Sequence, residues 1–209
     1  MEMLIQAGVV LASYLAGSLS FAVIVSRLMG LNDPRSYGSK NPGATNVLRS
    51  GSKKAAILTL VLDAFKGWLP VALVLAYGPE QGWGAGLAAW AGLAAFLGHL
   101  YPVFFGFAGG KGVATAVGVV VGVNGTLALA VLLTFAIVLY FSRYVSLASM
   151  VAAVFAPAFY RFGDGVAWQS EATEVLSLAI MALLLVWRHR ENIRRLLAGT
   201  ESQLGKKKA

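Results

Sequence analysis

The stretch FFGFAGGKGVAT, residues 104–115, has the residue types that most directly suggest chemistry. Three glycines, Gly109, Gly110 and Gly112, surround Lys111 immediately before an apolar run. Unshielded backbone N–H groups can point at an anion and a lysine adds positive charge, so the pattern predicts phosphate binding. The spacing fits neither a Walker A loop nor a dinucleotide fingerprint. Close helix packing through small residues would explain the glycines, but not a lysine among them.

A second segment, YGSKNPGATNVLRS at 37–50, also combines potential phosphate ligands with residues that bend the chain. The candidate ligands are hydroxyl, amide and guanidinium groups, carried by Ser39, Asn41, Thr45, Asn46 and Arg49. Pro42 predicts the start of a short helix whose first amides face an anion, and Arg49 offers a fork suited to bidentate phosphate binding. A solvated loop whose basic residues only enforce membrane topology explains the same segment equally well.

The third segment, WRHRENIRRLLAGTESQLGKKK, covers residues 187–208. In a helix, the spacing of three residues puts His189 and Asn192 on one face, so both can reach into a site at the end of the last apolar run. The alternative is a basic amphipathic end that lies on anionic lipid, an explanation that fits Lys206–Lys208 best.

The composition indicates what kind of elements must position these segments. Of the 209 residues, 58% are hydrophobic and 12% are charged, and the mean hydropathy is +0.72. Soluble domains are about 25% charged, so we expect an all-α, polytopic integral membrane helical bundle. The net charge is +8, but a soluble nucleic-acid binder would not be this apolar, so nucleic acid is not an expected partner. The absence of cysteine excludes disulfides and cysteine-ligated metals.

Apolar runs predict the spans, and the basic residues predict how many there are. The runs lie at 3–29, 55–77, 84–105, 113–140, 145–160 and 172–187. The loop 30–54 and the tail after 187 are both basic, so the positive-inside rule puts both in the cytoplasm, with an even number of crossings between them. The turn signal Asn124-Gly125 splits the fourth run and supplies the sixth crossing. We therefore expect seven transmembrane helices, with the N-terminus outside and the C-terminus cytoplasmic.

All three polar segments then belong to the cytoplasmic face of a single membrane domain, 1–209. The stretches that carry the site are 36–50, 98–115 and 188–204. Within the spans, Asp63 and Lys66 are three residues apart and are interpreted as a structural ion pair, and His99 is interpreted as a structural residue at a span end. Ser149 belongs to a serine-lined helix face, a pattern that bonding to the helix's own carbonyls also explains.

Together the three segments resemble the three motifs of the bacterial acyl-phosphate-dependent glycerol-3-phosphate acyltransferases, the PlsY family. The matching stretches, in the family's order, are GSKNPGATNVLR (38–49), GHLYPVFFGFAGGKGVAT (98–115) and HRENIRRLLAGTE (189–201), and DAFKG (63–67) is also present. The resemblance covers essentially the whole chain. It implies a seven-span enzyme that moves a fatty acyl group from acyl phosphate to the 1-hydroxyl of sn-glycerol 3-phosphate, giving lysophosphatidic acid and inorganic phosphate in phospholipid biosynthesis.

The resemblance also implies roles for individual residues and a location for the protein. The residues that would line the catalytic site are Ser39, Arg49, Lys111, Ser149, His189 and Asn192. The residues expected to bind substrate phosphate are Asn41, Thr45, Asn46, Gly109, Gly110, Lys111 and Gly112. We expect a bacterial inner-membrane enzyme with a cytoplasmic active site, whose partners are acyl phosphate, glycerol 3-phosphate and membrane lipid. No obligate protein partner, cofactor or metal is expected, because histidines and carboxylates do not cluster with ligand spacing.

Acyl phosphate is an activated mixed anhydride, so direct transfer without an acyl-enzyme is expected. The proton acceptor stays open between His189 and a phosphate oxygen of a substrate. The alternative function is a membrane transporter of a phosphorylated solute or lipid, which broken helices and buried charges would suit. A transporter predicts polar groups spread through the membrane depth, whereas here they crowd one face.

Overall fold

The computed structural model describes residues 1–205, whose regular structure is helical apart from one isolated β-bridge between Asp164 and Trp168. The α-helices of this range are α1 Glu2–Gly17, α2 Phe21–Leu28, α3 Ala44–Val47, α4 Lys53–Tyr77, α5 Ala85–Leu100, α6 Val113–Val123, α7 Gly125–Ser142, α8 Val145–Phe162, α9 Ala172–Arg188 and α10 Arg190–Leu197. The predicted all-α class is confirmed. The chain forms two compact units: Met1–Val123 with α1–α6, and a second that begins at Asn124 with α7–α10. The predicted lipid contact of Lys206–Lys208 falls outside the described residues.

Several helices are long and apolar enough to cross a membrane, as expected of a multi-pass membrane protein. Four qualify individually: α4, α5 together with the turn that follows it, α7 and α8. The bent pairs α1–α2, at 43°, and α9–α10, at 56°, raise the number to six if each pair is one span, and α6 is a shorter apolar helix. The predicted break in the fourth apolar run is confirmed, because α6 ends before Asn124 and the Asn124 side chain caps α7 by accepting a hydrogen bond from Leu127 N at 2.9 Å.

The first apolar run forms two helices, because the helix is interrupted between Gly17 and Phe21. The interruption leaves the Leu19 carbonyl outside a helix, where it accepts a hydrogen bond from Lys66 Nζ at 2.7 Å. Lys66 also pairs with Asp63 Oδ1 at 2.8 Å, and both side chains are almost fully buried. A charge buried among apolar helices must be paired and hydrogen-bonded, so the predicted ion pair is confirmed and the broken helix supplies its second acceptor.

Small residues bring α4 and α6 together at backbone distance. A Cβ on Gly118 of α6 would overlap the Ala64 carbonyl, and a Cβ on Gly67 of α4 would overlap the Thr115 carbonyl. Such glycine contacts allow the close van der Waals packing on which helix association in lipid depends. Because α6 begins at Val113, directly after Lys111 and Gly112, this packing fixes the helix to which the glycine–lysine loop is attached.

In the second unit, a polar network fixes the turn between α8 and α9. Trp168 Nε1 donates to the Tyr160 carbonyl at 2.8 Å, and the Tyr160 hydroxyl donates to Glu174 Oε2 at 2.9 Å. Glu171 and Glu174 form a reciprocal capping box at the start of α9. The network sets the register of α9, the helix that carries His189 at its other end.

Candidate active site

Asn46 organises the segment 37–50 from inside. Its side chain is buried, and its Nδ2 donates to the carbonyls of Pro34 and Tyr37 at 2.6 and 3.2 Å. Its Oδ1 accepts from the backbone N–H of Ser39 at 3.0 Å and from Arg49 Nη1 at 3.4 Å. The Asn46 amide therefore connects several parts of the loop by hydrogen bonds, and it brings together two of the predicted site residues, Ser39 and Arg49.

The predicted short helix in this segment is present as α3, which continues into a 3₁₀ turn, Leu48–Ser50. Thr45 is exposed on α3, and Asn41 is half-buried in the loop before it. Their predicted phosphate contacts stay predictions, as does that of Asn46, whose amide contacts lie within its own loop.

The glycine–lysine loop, defined as residues 106–112, packs on the C-terminal turn of α5. The N–H of Gly110 donates to the His99 carbonyl at 3.1 Å. A Cβ on Gly110 would overlap the Nε2 edge of the His99 ring and lie 3.0 Å from the Pro42 carbonyl oxygen. Only glycine can make this approach, because every other residue carries that Cβ. The loop presents half-buried Lys111 and turns into α6 through Gly112, whose φ is +84°.

The loop that contains Ser39 and the glycine–lysine loop meet in the first unit. Besides the approach of Pro42 to Gly110, the guanidinium of Arg35 lies 5.9 Å from the ring centroid of Phe105. Arg35 itself is held by Asp33 through hydrogen bonds of 2.7 to 3.1 Å. These hydrogen bonds hold the pKa of Asp33 below its ordinary value, so the pair stays ionised at neutral pH.

In the second unit, His189 lies at the junction of α9 and α10 and is 3% exposed. Its Nδ1 is 2.8 Å from the Leu185 carbonyl oxygen. A carbonyl can only accept, so Nδ1 carries the proton, and in the neutral form of the ring the lone pair is on Nε2. The ring is therefore held in the tautomer that suits a proton acceptor.

Asn192 lies three residues further on and is held by Glu201. Asn192 Nδ2 and Ser146 Oγ donate to Glu201 Oε1 at 2.6 and 2.7 Å, and Arg195 Nε donates to Oε2 at 2.7 Å. Burial alone would raise the pKa of Glu201, but these donors together lower it below its ordinary value. Because the carboxylate only accepts, it fixes Asn192 with Nδ2 toward Glu201.

Glu201 was not identified from the sequence as a residue that holds the site. The Ala198-Gly199 turn before it was the available signal, because a glycine just after a helix lets the chain turn back toward that helix. Ser149, also buried, donates its Oγ hydrogen to the Val145 carbonyl at 2.8 Å, which leaves the oxygen to act as an acceptor. Within residues 1–205, no group of three His, Cys, Asp or Glu side chains could hold a metal ion.

Comparisons with known proteins agree over nearly the whole chain. The family model described as glycerol-3-phosphate acyltransferase matches residues 7–199. The chain belongs to the glycerol-3-phosphate acyltransferase family. A glycerol-3-phosphate acyltransferase of Albidiferax ferrireducens is 66% identical, over 94% of this chain and 88% of its own length. One of Bordetella petrii is 58% identical, over 98% of this chain and 95% of its own length.

Solved structures of the acyltransferase family share the fold. The glycerol 3-phosphate form of PlsY (YgiH), an integral membrane glycerol 3-phosphate acyltransferase, has a TM-score of 0.86 and 40% identity, with 96% of each chain covered. Its lysophosphatidic acid form has a TM-score of 0.84 and 39% identity, with 96% of this chain and 95% of that chain covered. The resemblance inferred from the three motifs is thereby confirmed, and this protein is an acyltransferase of that family.

Proposed function

We propose that this protein transfers a fatty acyl group from acyl phosphate to the 1-hydroxyl of sn-glycerol 3-phosphate. The observation that carries the proposal is the packing of the segment with Ser39 and Arg49 against the glycine–lysine loop, through Pro42 and Gly110. Each segment carries a cation beside donors suited to phosphate. Two phosphorylated substrates repel each other, and a reaction between them needs two such cationic groups close together. Solved relatives in glycerol 3-phosphate and lysophosphatidic acid forms match one substrate and one product of this reaction.

The transfer proceeds directly between the substrates. The hydroxyl oxygen of glycerol 3-phosphate attacks the acyl carbonyl carbon, and the bond from that carbon to the phosphate oxygen breaks. Phosphate leaves with the electron pair, and the hydroxyl proton ends on the released phosphate. No acyl-enzyme is needed because the mixed anhydride is already activated. In support, the Ser149 hydroxyl hydrogen points at the Val145 carbonyl instead of a histidine nitrogen.

The basic residues of the first unit hold the phosphates. Lys111 and the glycines Gly109, Gly110 and Gly112 bind one phosphate, because glycines let the backbone approach an anion closely and Lys111 supplies a positive charge. Arg49, with Ser39 beside it on Asn46, binds the other through a planar fork. Asn46 serves this second subsite by shaping the loop, and Asn41 and Thr45 add hydrogen-bond donors from the same segment.

The remaining predicted catalytic residues are His189, Asn192 and Ser149, and their proposed role is at the hydroxyl that reacts. His189 Nε2 carries a lone pair that can accept a hydrogen bond or the proton of the hydroxyl. Asn192 and Ser149 add polar contacts, each with its orientation set by a hydrogen bond to a neighbouring acceptor. A phosphate oxygen of a substrate is the competing proton acceptor, and the pH profile of a His189 variant distinguishes the two.

We further propose that residues 1–209 act as one membrane domain with seven crossings in a bacterial inner membrane, the N-terminus outside and the C-terminus in the cytoplasm. The basic segments then lie on the cytoplasmic side, where the soluble substrate is found. The break at Asn124 supports this count, because it divides the fourth apolar run into α6 and α7.

The test uses the purified protein in detergent with palmitoyl phosphate, and follows the release of inorganic phosphate with and without glycerol 3-phosphate. We expect release that depends on glycerol 3-phosphate and yields an acylated product. Release without it would identify water or another acceptor. Folded protein that releases no phosphate would refute the enzyme and favour transport, which can be measured only between two compartments.

Two lysine variants make the test specific to the site. Lys111→Ala is expected to abolish the release, because one substrate phosphate loses its cation. Lys54→Ala is the matched control, because Lys54 is exposed in the first turn of α4 and outside the site. Equal losses in the two variants would show that net charge matters and not the glycine–lysine loop.

A further inference from the structure

Three buried polar side chains form a cluster that reaches the glycine–lysine loop through one of its members, and the proposed reaction uses none of them. They are Asp63 and Lys66 on α4 and His99 on α5, with side chains 3%, 4% and 7% exposed. Burying such groups among apolar helices is costly unless pairing compensates for the lost hydration. The ion pair of Asp63 and Lys66 already satisfies that requirement, so the third member, His99, has to be explained separately.

His99 joins this cluster to the loop. Its Nδ1 is 3.6 Å from Asp63 Oδ1, and its carbonyl oxygen accepts the hydrogen bond from Gly110 N–H. The Nε2 edge of the ring occupies the space in which a Cβ of Gly110 would lie, so the loop backbone packs directly on the imidazole. A shift of the ring therefore shifts the residue that immediately precedes Lys111.

The other two members place an anchored carboxylate beside His99. The Asp63 carboxylate facing Nδ1 favours the tautomer with its proton on that nitrogen. Lys66 anchors the carboxylate at 2.8 Å and is itself anchored to the Leu19 carbonyl at 2.7 Å. The contacts thus run from the α1–α2 break through α4 and α5 to the loop, all within the first unit and among buried side chains, where polar interactions are strong.

We propose that Asp63 and His99 are positioning residues for the glycine–lysine loop, and that they set the place of the Lys111 ammonium in its phosphate subsite. This role rests on the proposed function, because it concerns the phosphate that Lys111 binds. A purely structural cluster would change how much enzyme is folded. A positioning cluster changes the affinity for one substrate in enzyme that stays folded.

Two substitutions of His99 test separately the contacts made by the Nδ1 edge and by the Nε2 edge of its ring. In His99→Asn the amide reaches the Nδ1 position and keeps the contact with Asp63, but the side chain no longer packs against Gly110. In His99→Gln the amide reaches the Nε2 position and supports the loop. We expect His99→Asn to raise the KM of one substrate about tenfold with a smaller change in kcat, because a misplacement of about 1 Å can cost up to 100-fold. His99→Gln should raise the same KM less.

The identity of that substrate is checked with Gly110→Ala, which displaces the loop from the other side of the same contact. Steady-state kinetics in detergent give KM for palmitoyl phosphate and for glycerol 3-phosphate in each variant. Positioning predicts that His99→Asn and Gly110→Ala raise the KM of the same substrate. Size-exclusion chromatography and the thermal midpoint report the folded fraction.

A second change perturbs the other end of the cluster without leaving a lone buried charge. The double variant Asp63→Asn with Lys66→Met replaces the ion pair by neutral groups of similar size, a replacement that buried pairs often tolerate. It removes the carboxylate that selects the His99 tautomer, so the same KM should rise. The matched control is Thr59→Val, a substitution of equal volume at a fully buried position one turn before Asp63 on α4.

The outcomes separate this role from the proposed function. A wild type without phosphate release dependent on glycerol 3-phosphate overturns the proposed function and this role with it. With an active wild type, the role alone is overturned if the His99→Asn and double variants keep both KM values within about twofold of those of Thr59→Val. It is equally overturned if both variants lose activity only in proportion to folded protein, which is what a structural cluster predicts.

Discussion

Substitution of Glu201 tests how the C-terminal segment is held. Glu201→Ala leaves the buried donors of Ser146 and Asn192 without their acceptor, which costs about 1–3 kcal/mol for each. Arg195 is 41% exposed and can turn to water, so the lost ion pair adds at most about 1 kcal/mol. The total is roughly 2–7 kcal/mol. At about 2–4 °C per kcal/mol for a chain of this size, we expect a fall of about 10 °C in the thermal midpoint.

Glu201→Gln removes the charge and keeps an acceptor. Its amide oxygen can still receive Ser146 and Asn192, while its amide nitrogen faces the Arg195 donor. Only the ion pair to half-exposed Arg195 is lost, so we expect the thermal midpoint to fall by about 2–4 °C. The charge is therefore predicted to matter less than the hydrogen bonds.

The assay is thermal unfolding in detergent at pH 7, paired with the phosphate-release rate. Glu191→Gln is the matched control: it removes the other acid of the segment, which is 61% exposed and 3.7 Å from Arg194. It should leave the midpoint unchanged. Equal large falls for Glu201→Gln and Glu201→Ala would refute the reasoning, because the charge would then dominate. No fall in Glu201→Ala would show that the carboxylate does not hold the segment.

The same contacts predict a pH dependence. The folded protein lowers the pKa of Glu201 below its ordinary value of 4.5, so the carboxylate stabilises the fold fully above that value. The stabilisation is lost as the pH falls through the lowered pKa. The difference in thermal midpoint between the wild type and Glu201→Gln should therefore stay constant from pH 8 to about 5 and disappear at lower pH. A difference that changes between pH 8 and 6 would contradict this assignment.

Three further predictions concern packing, proton transfer and topology. Gly118→Ala puts a methyl group into the α4 backbone and should destabilise the protein by about 1–3 kcal/mol, which a lower thermal midpoint would show. Gly125→Ala is the control, because Gly125 has open space around it, and it should leave the midpoint unchanged. His189→Asn should keep measurable activity with a flattened pH–rate profile if a substrate phosphate takes the proton; complete loss with intact glycerol 3-phosphate binding would assign the proton to His189. Because the chain has no cysteine, Lys54→Cys and Gln81→Cys can each be labelled alone with a membrane-impermeant thiol reagent. In intact spheroplasts only Gln81→Cys should react, and labelling of Lys54→Cys would overturn the proposed topology.

The sequence alone determined the features that depend on neighbouring residues and on the membrane as solvent. Apolar runs predicted the helices because every backbone polar group in lipid must be satisfied within its own segment. Asn124-Gly125 predicted the break between α6 and α7 because Asn-Gly is a turn signal, and the asparagine side chain also caps the helix that follows. The three motifs predicted the family, because their residue types and order are specific enough without any structure.

Only the tertiary structure decided which polar groups meet across long stretches of chain. The partner of Lys66 at Leu19 is 47 residues away, and that of Glu201 at Ser146 is 55 residues away. The packing of His99 under Gly110 likewise depends on how α5 ends and how the loop returns. Helical periodicity relates residues three or four apart, and no local pattern records which distant carbonyl or carboxylate will face a given side chain. Such pairings arise only when packed helices leave a buried polar group one available partner, and that is a property of the folded chain.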